Sequence, residues 1–199
     1  MQQKKRPTNK PATDRILAAA GTMIARYGYA EATFDKIAKQ AGVSRGLLHY
    51  HFQTKEQMLA RVLARNLGGA TALLREILTQ SNSADELVNL IVDALADMHA
   101  ENPSYFAIFI EGLGTARQSR IVRKELSRSY REFRGTLRDG LQSMIDRDAI
   151  APSLPAPTIA ILFMSILDGL SLALATVAGD DLGEDIWAHL KLGFRALLA

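Results

Sequence analysis

The sequence predicts an all-α protein of about nine helices, and three observations carry that expectation. Apolar residues recur at three- and four-residue spacing along nearly all of the 199 residues. No segment shows the two-residue alternation of a half-buried strand. The interruptions fall at helix-capping signals and a proline-rich break rather than at hairpin turns.

The elements follow in order. Thr13 is expected to cap a first helix with Asp14 in its first turn. Ile16, Leu17, Ala20, Met23, Ile24 and Tyr27 form its apolar face, and Gly28 falls just past its end. Thr33 caps a second helix carrying Ile37, Ala38 and Ala41, which Gly42 stops. Ser44 caps a short third helix, about Arg45 to His51. Thr54-Lys55-Glu56-Gln57 has capping-box form and opens a fourth, running towards residue 80. Ser83-Ala84-Asp85-Glu86 repeats that signal for a fifth helix to about Glu101, and Pro103 stands at the first position of a sixth. Residues 117–147 read as one long charged amphipathic helix. After the break APSLPAP come a very apolar helix over 158–178, a GDDLGED loop and a last amphipathic helix.

Charge is distributed unevenly. Of 24 Lys/Arg and 21 Asp/Glu, ten bases but only three acids (Asp14, Glu31, Asp35) lie in residues 1–55. That head is therefore +7, and the remainder is −4. A basic head on an acidic body points to a polyanion partner for the head and another task for the body. Lys4, Lys5, Arg6 and Lys10 form a basic tail over residues 1–12, expected to be disordered. The chain has no cysteine, which excludes disulfides, thiolate metal sites and a cysteine nucleophile and suits a reducing compartment. The N-terminal residues lack the apolar core of a signal peptide, so a cytoplasmic protein is expected.

Residues 33–52 carry the most specific pattern. An eight- or nine-residue helix meets Gly42-Val43-Ser44 and then a helix of about two turns, the length pattern of a helix-turn-helix. Gly42 supplies a left-handed corner that a Cβ would resist. Leu48 and Phe52 point into a small core, whereas Arg45 and His49, four apart, share an outer face with Gly46 and Tyr50 beside them. That face is expected to hold no carboxylate and to enter a major groove. Arginine reads guanine edges, glycine permits close approach, and tyrosine or histidine reaches phosphate. The alternative of a metal site at His49-Tyr50-His51 fails because side chains two apart on a helix diverge by about 200°; neither metal nor cofactor is expected.

The segment TFDKIAKQAGVSRGLLHYHFQTKEQML closely resembles the N-terminal module of TetR-family transcriptional regulators. The matching positions are Thr33, Ile37-Ala38, Gly42-Val43-Ser44, Arg45-Gly46, Tyr50-His51-Phe52 and Lys55-Glu56, and ILAAAGTMIARYGYAEAT upstream resembles the family's first helix. The resemblance covers about residues 12–60. Leu47 departs where a small hydroxyl residue is frequent, and His49 departs where tyrosine is usual. The resemblance implies a helix-turn-helix DNA-binding domain over 13–58 and a ligand-binding and dimerisation domain over 59–199. It also implies a homodimer with two recognition helices in successive major grooves of a palindromic double-stranded operator. By position, Arg45, Gly46 and His49 would face bases, and Thr33, Tyr50, His51 and Lys55 would contact phosphates, with Ser44 in the same DNA-facing set.

In the body, Thr158–Gly179 is long enough for a membrane span, but Asp168 sits at its middle and its flank is acidic. A buried helix is expected instead. Ser165, Gly169 and Ala173, four apart, form a stripe that admits a second helix. Together with Ile186, Leu190 and Phe194 of the last helix they are the expected dimer interface, a four-helix bundle. Met98, Tyr105, Phe106, Phe109, Phe133 and Phe163 are candidates for lining an effector cavity, and Asp97, His99, Glu111 and Asp168 are polar residues near those apolar faces. Arg117 to Arg138 form a basic stripe interleaved with Glu125, Glu132 and Asp139, read as a solvated face laced with ion pairs.

These features favour a ligand-responsive DNA-binding repressor released from its operator by a small molecule. The alternative is a helical adaptor whose basic head binds another protein. An enzyme is not expected, because the sequence contains no Gly-x-Ser-x-Gly, His-Glu-x-x-His or phosphate-loop motif.

Overall fold

The computed structural model describes residues 11–102, 104–176 and 185–199. The expected basic tail (apart from Pro11 and Ala12), Pro103 and nearly all of the GDDLGED loop lie outside the described residues. The described residues form nine helices and no strand: α1 (Ala12–Glu31), α2 (Phe34–Ala41), α3 (Arg45–His51), α4 (Lys55–Gln80), α5 (Ala84–Glu101), α6 (Ser104–Ala116), α7 (Arg120–Asp146), α8 (Ala156–Thr176) and α9 (Ile186–Leu198).

Most starts obey the capping chemistry. The hydroxyls of Thr33, Ser44, Thr54, Ser83 and Ser119 each accept an N–H from the residue three positions on, satisfying an otherwise unpaired donor. In both capping boxes the return bond reaches one residue beyond the cap. Gln57 Oε1 accepts from the N–H of Gln53, and Glu86 Oε2 from the N–H of Asn82. Thr13 is a correction: α1 begins after Pro11, without a side-chain cap, and the Thr13 hydroxyl lies 3.3 Å from His51 Nδ1 instead. The helix expected over 117–147 starts at Arg120, because Ser119 provides the cap.

Gly28 does not end α1 but breaks it, at φ 79° and ψ 162°, and the helix resumes to Glu31. Such a backbone favours glycine. The break turns Tyr27 outward, 48% exposed and beneath the Arg26 guanidinium, rather than into the expected apolar face.

Two cores share one helix. The N-terminal half of α4 (Met58, Leu59, Val62, Leu63) packs with Ile16, Ala20, Ile24, Ile37, Leu48 and Phe52 of the head, and with Ile108, Val122 and Leu126 from α6 and α7. Its C-terminal half (Leu74, Ile77, Leu78) joins Val88, Val92, Leu137, Leu141, Phe163 and Phe194. α4 and α7 run parallel, so that Ile121 lies near Gln57 and Ala60 at one end and Arg75 bonds Thr136 further along.

α8 is long and apolar enough to cross a membrane by length and composition. Ile159, Ala160, Phe163 and Leu170 are buried against the body, while Ile161, Leu162, Ser165, Gly169 and Leu172 are exposed, so the helix is not buried all round as expected. The basic stripe of α7 carries the expected ion pairs, Arg128 with Glu125 and Glu132 and Arg138 with Asp139.

The α4–α7 packing tolerates no side chain at Gly140, where a Cβ would lie 2.5 Å from Leu78 Cδ1 and 3.0 Å from Leu78 Cβ. Gly140→Val should therefore destabilise the fold by about 1–3 kcal/mol despite the better helix propensity of valine. Adding Leu78→Ala should recover part of that loss. Urea unfolding of the two variants checks both expectations, and an unchanged midpoint for Gly140→Val would refute the close packing.

Candidate nucleic-acid interface and effector cavity

α3 is a helix of under two turns whose position is fixed from both ends. Ser44 caps its start at 3.1 Å from Leu47 N, and Gly42 (φ 63°, ψ 41°) turns the chain between α2 and α3. Leu48, fully buried, and Phe52 anchor one face. At about 1.5–3 kcal/mol for a buried side chain of this size, those two residues alone outweigh the modest propensity of so short a helix.

The opposite face is open. Arg45, Gly46, His49, Tyr50 and His51 are all exposed, Tyr50 to 83%. A Cβ on Gly46 would meet nothing closer than Ser44 Oγ at 4.0 Å, so this side can approach another surface closely. His49 stacks edge-on against Phe34 at 4.9 Å, and its Nε2 accepts from Arg45 Nε at 3.4 Å. The expectation of a carboxylate-free face is corrected. Asp35, in the first turn of α2, pairs with Arg45 at 3.2 Å. Sequence spacing within α3 could not reveal it, because Asp35 belongs to the neighbouring helix. The ion pair is exposed on both sides and contributes little to stability.

Thr33 is exposed and its hydroxyl is occupied as a cap, 3.4 Å from Lys36 N. Lys55, the first residue of α4, has a role the sequence reading missed. Its ammonium donates to the carbonyls of Tyr29 (2.7 Å) and Ala30 (3.0 Å) and lies 4.3 Å from the Tyr29 ring centre. It thus satisfies the last carbonyls of α1 and ties the head to the start of α4. Burial, with Glu56 nearby, pushes the Tyr29 phenol up to about 12, keeping it neutral at physiological pH.

A second feature lies in the body. A cavity of about 80 Å³ opens between α4, α5, α6, α7 and α8. Five of the six expected residues line it: Met98, Tyr105, Phe106, Phe109 and Phe133. Phe163 does not. It stacks on Phe194 at 3.7 Å and borders an adjoining apolar cavity of about 50 Å³. The sequence reading missed Ser129, Tyr130, Met164, Leu167 and Ser171, and left Asp168 undecided; Asp168 lines the cavity. Tyr130 sits three residues from Phe133, a spacing that was legible but masked by the charged residues around it. Of the other undecided polar groups, Asp97 is exposed, Glu111 lies by Gly28, and His99 packs behind Phe106 and Trp187. No cluster of His, Asp or Glu suited to a metal occurs among the described residues.

The expected dimer residues divide. Ser165 and Gly169 are exposed and Ala173 is half-buried. Leu190 and Phe194 are a correction: Phe194 is fully buried and Leu190 is 7% exposed within the single chain, and Ile186 packs against the same core. The reason is that α9 docks on α5, with Lys191 bonding Asp93 and Arg195 bonding Asp85. The outward face of α9 is instead His189, Leu192, Gly193 and Ala196.

A helix-turn-helix with an open recognition helix, joined to a helical body containing a cavity, defines a DNA-binding transcriptional regulator. The family model for bacterial regulatory proteins of the tetR family matches residues 16–62. The regulator BetI of Rhizobium meliloti is 30% identical over 188 residues, covering 88% of each chain. The regulator UidR of Escherichia coli K12 is 23% identical over 95% of this chain and 92% of that protein. Among solved structures, Salmonella enterica GusR superposes with a TM-score of 0.77 at 20% identity, over 98% of this chain and 99% of that one. FadR from Bacillus subtilis, solved in complex with stearoyl-CoA, superposes at 0.75 and 21% identity over 94% and 97%. The chain belongs to the tetR family.

Lys55→Ala should loosen the head by removing two charge-assisted bonds. At this partly exposed position the loss should be about 1 kcal/mol. Thermal unfolding without DNA checks it; an unchanged melting temperature would show that the ammonium has no structural role.

Proposed function

We propose that this protein is a repressor that binds a palindromic operator as a homodimer in the cytoplasm and is released by a small-molecule effector. The observation that carries the reading is the open face of α3, where Arg45, Gly46, His49 and Tyr50 project beyond a helix locked by Leu48 and Phe52. In this reading Arg45, Gly46 and His49 meet bases, while Thr33, Tyr50, His51 and the first turn of α4 at Lys55 meet the phosphate backbone; Ser44 fixes the start of the reading helix. The head spans residues 13–58 and the effector and dimer region 59–199. The two-fold partner would cover the exposed face of α8 around Ile161, Ser165, Gly169 and Leu172, and the outward face of α9 at Leu192. Ile161, Leu162, Leu172 and Leu192 are large apolar side chains left open on these two elements.

Release follows from the position of α6. Tyr105, Phe106 and Phe109 line the cavity, while Ile108 and Gly112 on the same helix press into the head core. An effector that prefers one placement of α6 shifts the population of head positions, and operator affinity falls by that differential affinity.

Arg45→Ala should cost about 1–3 kcal/mol against the preferred site and relax base choice at one position per half-site. Titration of operator and scrambled DNA at several salt concentrations checks this. Unchanged affinity and preference would refute the groove-facing role.

Gly169→Arg places a charge where a Cβ meets nothing within 4 Å in the single chain. It should leave the protomer folded and abolish dimer and operator binding together. Sedimentation showing an intact mutant dimer would exclude this face.

A further inference from the structure

The hydrogen-bonding polarity of the body cavity specifies a class of occupant. Four hydroxyl groups line it, and each donates its proton to an acceptor within the protein. Tyr105 donates to Asn66 O (3.3 Å), Ser129 to Glu125 Oε1 (3.3 Å), Ser171 to Leu167 O (2.7 Å), and Tyr130 to Asp168 Oδ1. No Lys, Arg or His stands among the described lining residues. A ligand entering this space therefore meets acceptors only: hydroxyl lone pairs and the remaining oxygen of Asp168.

Asp168 forms no ion pair with a described Lys, Arg or His, as the salt bridges elsewhere in the chain do. Burial pushes its carboxyl pKa up, and the Tyr130 hydroxyl counters this only in part. A half-buried carboxylate without a cation is a charge that a positively charged ligand would compensate. The Tyr130 ring, stacked on Phe109 at 5.9 Å, adds an aromatic face beside it. The shape is directional. The adjoining 50 Å³ cavity shares Ala70, Leu95, Met98, Phe133 and Leu167 with the first, and ends among Leu74, Ile77, Ile91 and Phe163. The polar end lies at Asp168 and the other end is wholly apolar.

We propose that the occupant is an amphiphilic amine, its ammonium donating to Asp168 and its hydrocarbon part running towards Phe163. The proposal rests on the reading of this cavity as the effector site. An anionic head group would face a carboxylate and a set of acceptors. The nearby base His99 is packed behind Phe106 and Trp187, with ring centres 5.8 and 6.1 Å away.

The test is calorimetric titration of the full chain at pH 7 with n-octylamine, n-octanol and n-octanoate, three probes of one tail length. Octylamine should bind about tenfold or more tightly than octanol, and octanoate most weakly. Asp168→Asn should remove the advantage of the amine while leaving octanol binding within about twofold, which also reports that the cavity is intact. Tyr130→Phe, which retains the carboxylate, should keep the preference and covers the case in which Asp168→Asn fails to fold. Equal binding of the three probes, a preference for octanoate, or an amine advantage that survives Asp168→Asn would each overturn the proposal. Binding in the expected order without release of operator DNA would uphold the ligand class and remove the effector reading.

Discussion

The structure depends on α4 being one unbroken 26-residue helix shared by two cores. Its first three turns complete the core under the recognition helix, and its last three complete the core of the body. Neither core closes without it. A helix of this length behaves as a stiff rod, so the head has no hinge of its own at residue 58. The parallel α7 reinforces the rod on one side, with Gly140 packed directly against Leu78. Lys55 fastens the other end by holding the carbonyls of Tyr29 and Ala30.

On that rod, α6 is the element that touches both the head core and the cavity. Gly21 on α1 admits Ile108, and Gly112 on α6 admits Leu63, at separations where a Cβ would lie 3.4 Å and 2.8 Å from the neighbouring methyl carbons. Two close approaches on one short helix leave little room for α6 to move without moving α1 and α4. Its other face carries the aromatic wall of the cavity. Packed interiors have few voids and respond to displacement by repacking, and in the proposed release a change in what fills the cavity would reach the head through these contacts.

How much of this was legible in the sequence depended on the range of the interaction. Caps at Thr33, Ser44, Thr54 and Ser83 are decided within four residues, and the sequence located them. Thr13 misled because Pro11 starts the helix earlier and the hydroxyl is drawn to His51, 38 positions away. The aromatic residues of the cavity share helical faces with core residues, so their periodicity marked them as inward. The same periodicity marked Leu190 and Phe194 as inward-facing without saying towards what. Whether an apolar stripe meets its own chain or a second copy is fixed by tertiary docking, here of α9 on α5, and no local pattern encodes it. Asp35 and Asp168 were missed or undecided for the same reason. Each gains its meaning from a partner on another helix, Arg45 in one case and Tyr130 in the other.

Those two carboxylates also show how one residue type takes opposite tasks in different surroundings. Asp35 and Arg45 are exposed, at 64% and 65% of the side chain, so water already solvates both and their pairing is weak. Such a pair keeps the arginine extended over the face of α3 without holding it tightly. In the proposed reading a guanine edge or phosphate exchanges for the carboxylate at small cost, because the displaced Asp35 remains in water. Asp168 is half-buried among aromatic and aliphatic groups, with one hydroxyl as its donor. There burial disfavours the charged form of the same group, no described cation stands beside it, and interactions are stronger for the lower local dielectric. In the proposed function the exposed carboxylate yields to a partner, and in the proposed occupancy of the cavity the enclosed one attracts a ligand. The distinction comes from the fold, since both residues sit in helices directly after an apolar residue, Phe34 in one case and Leu167 in the other.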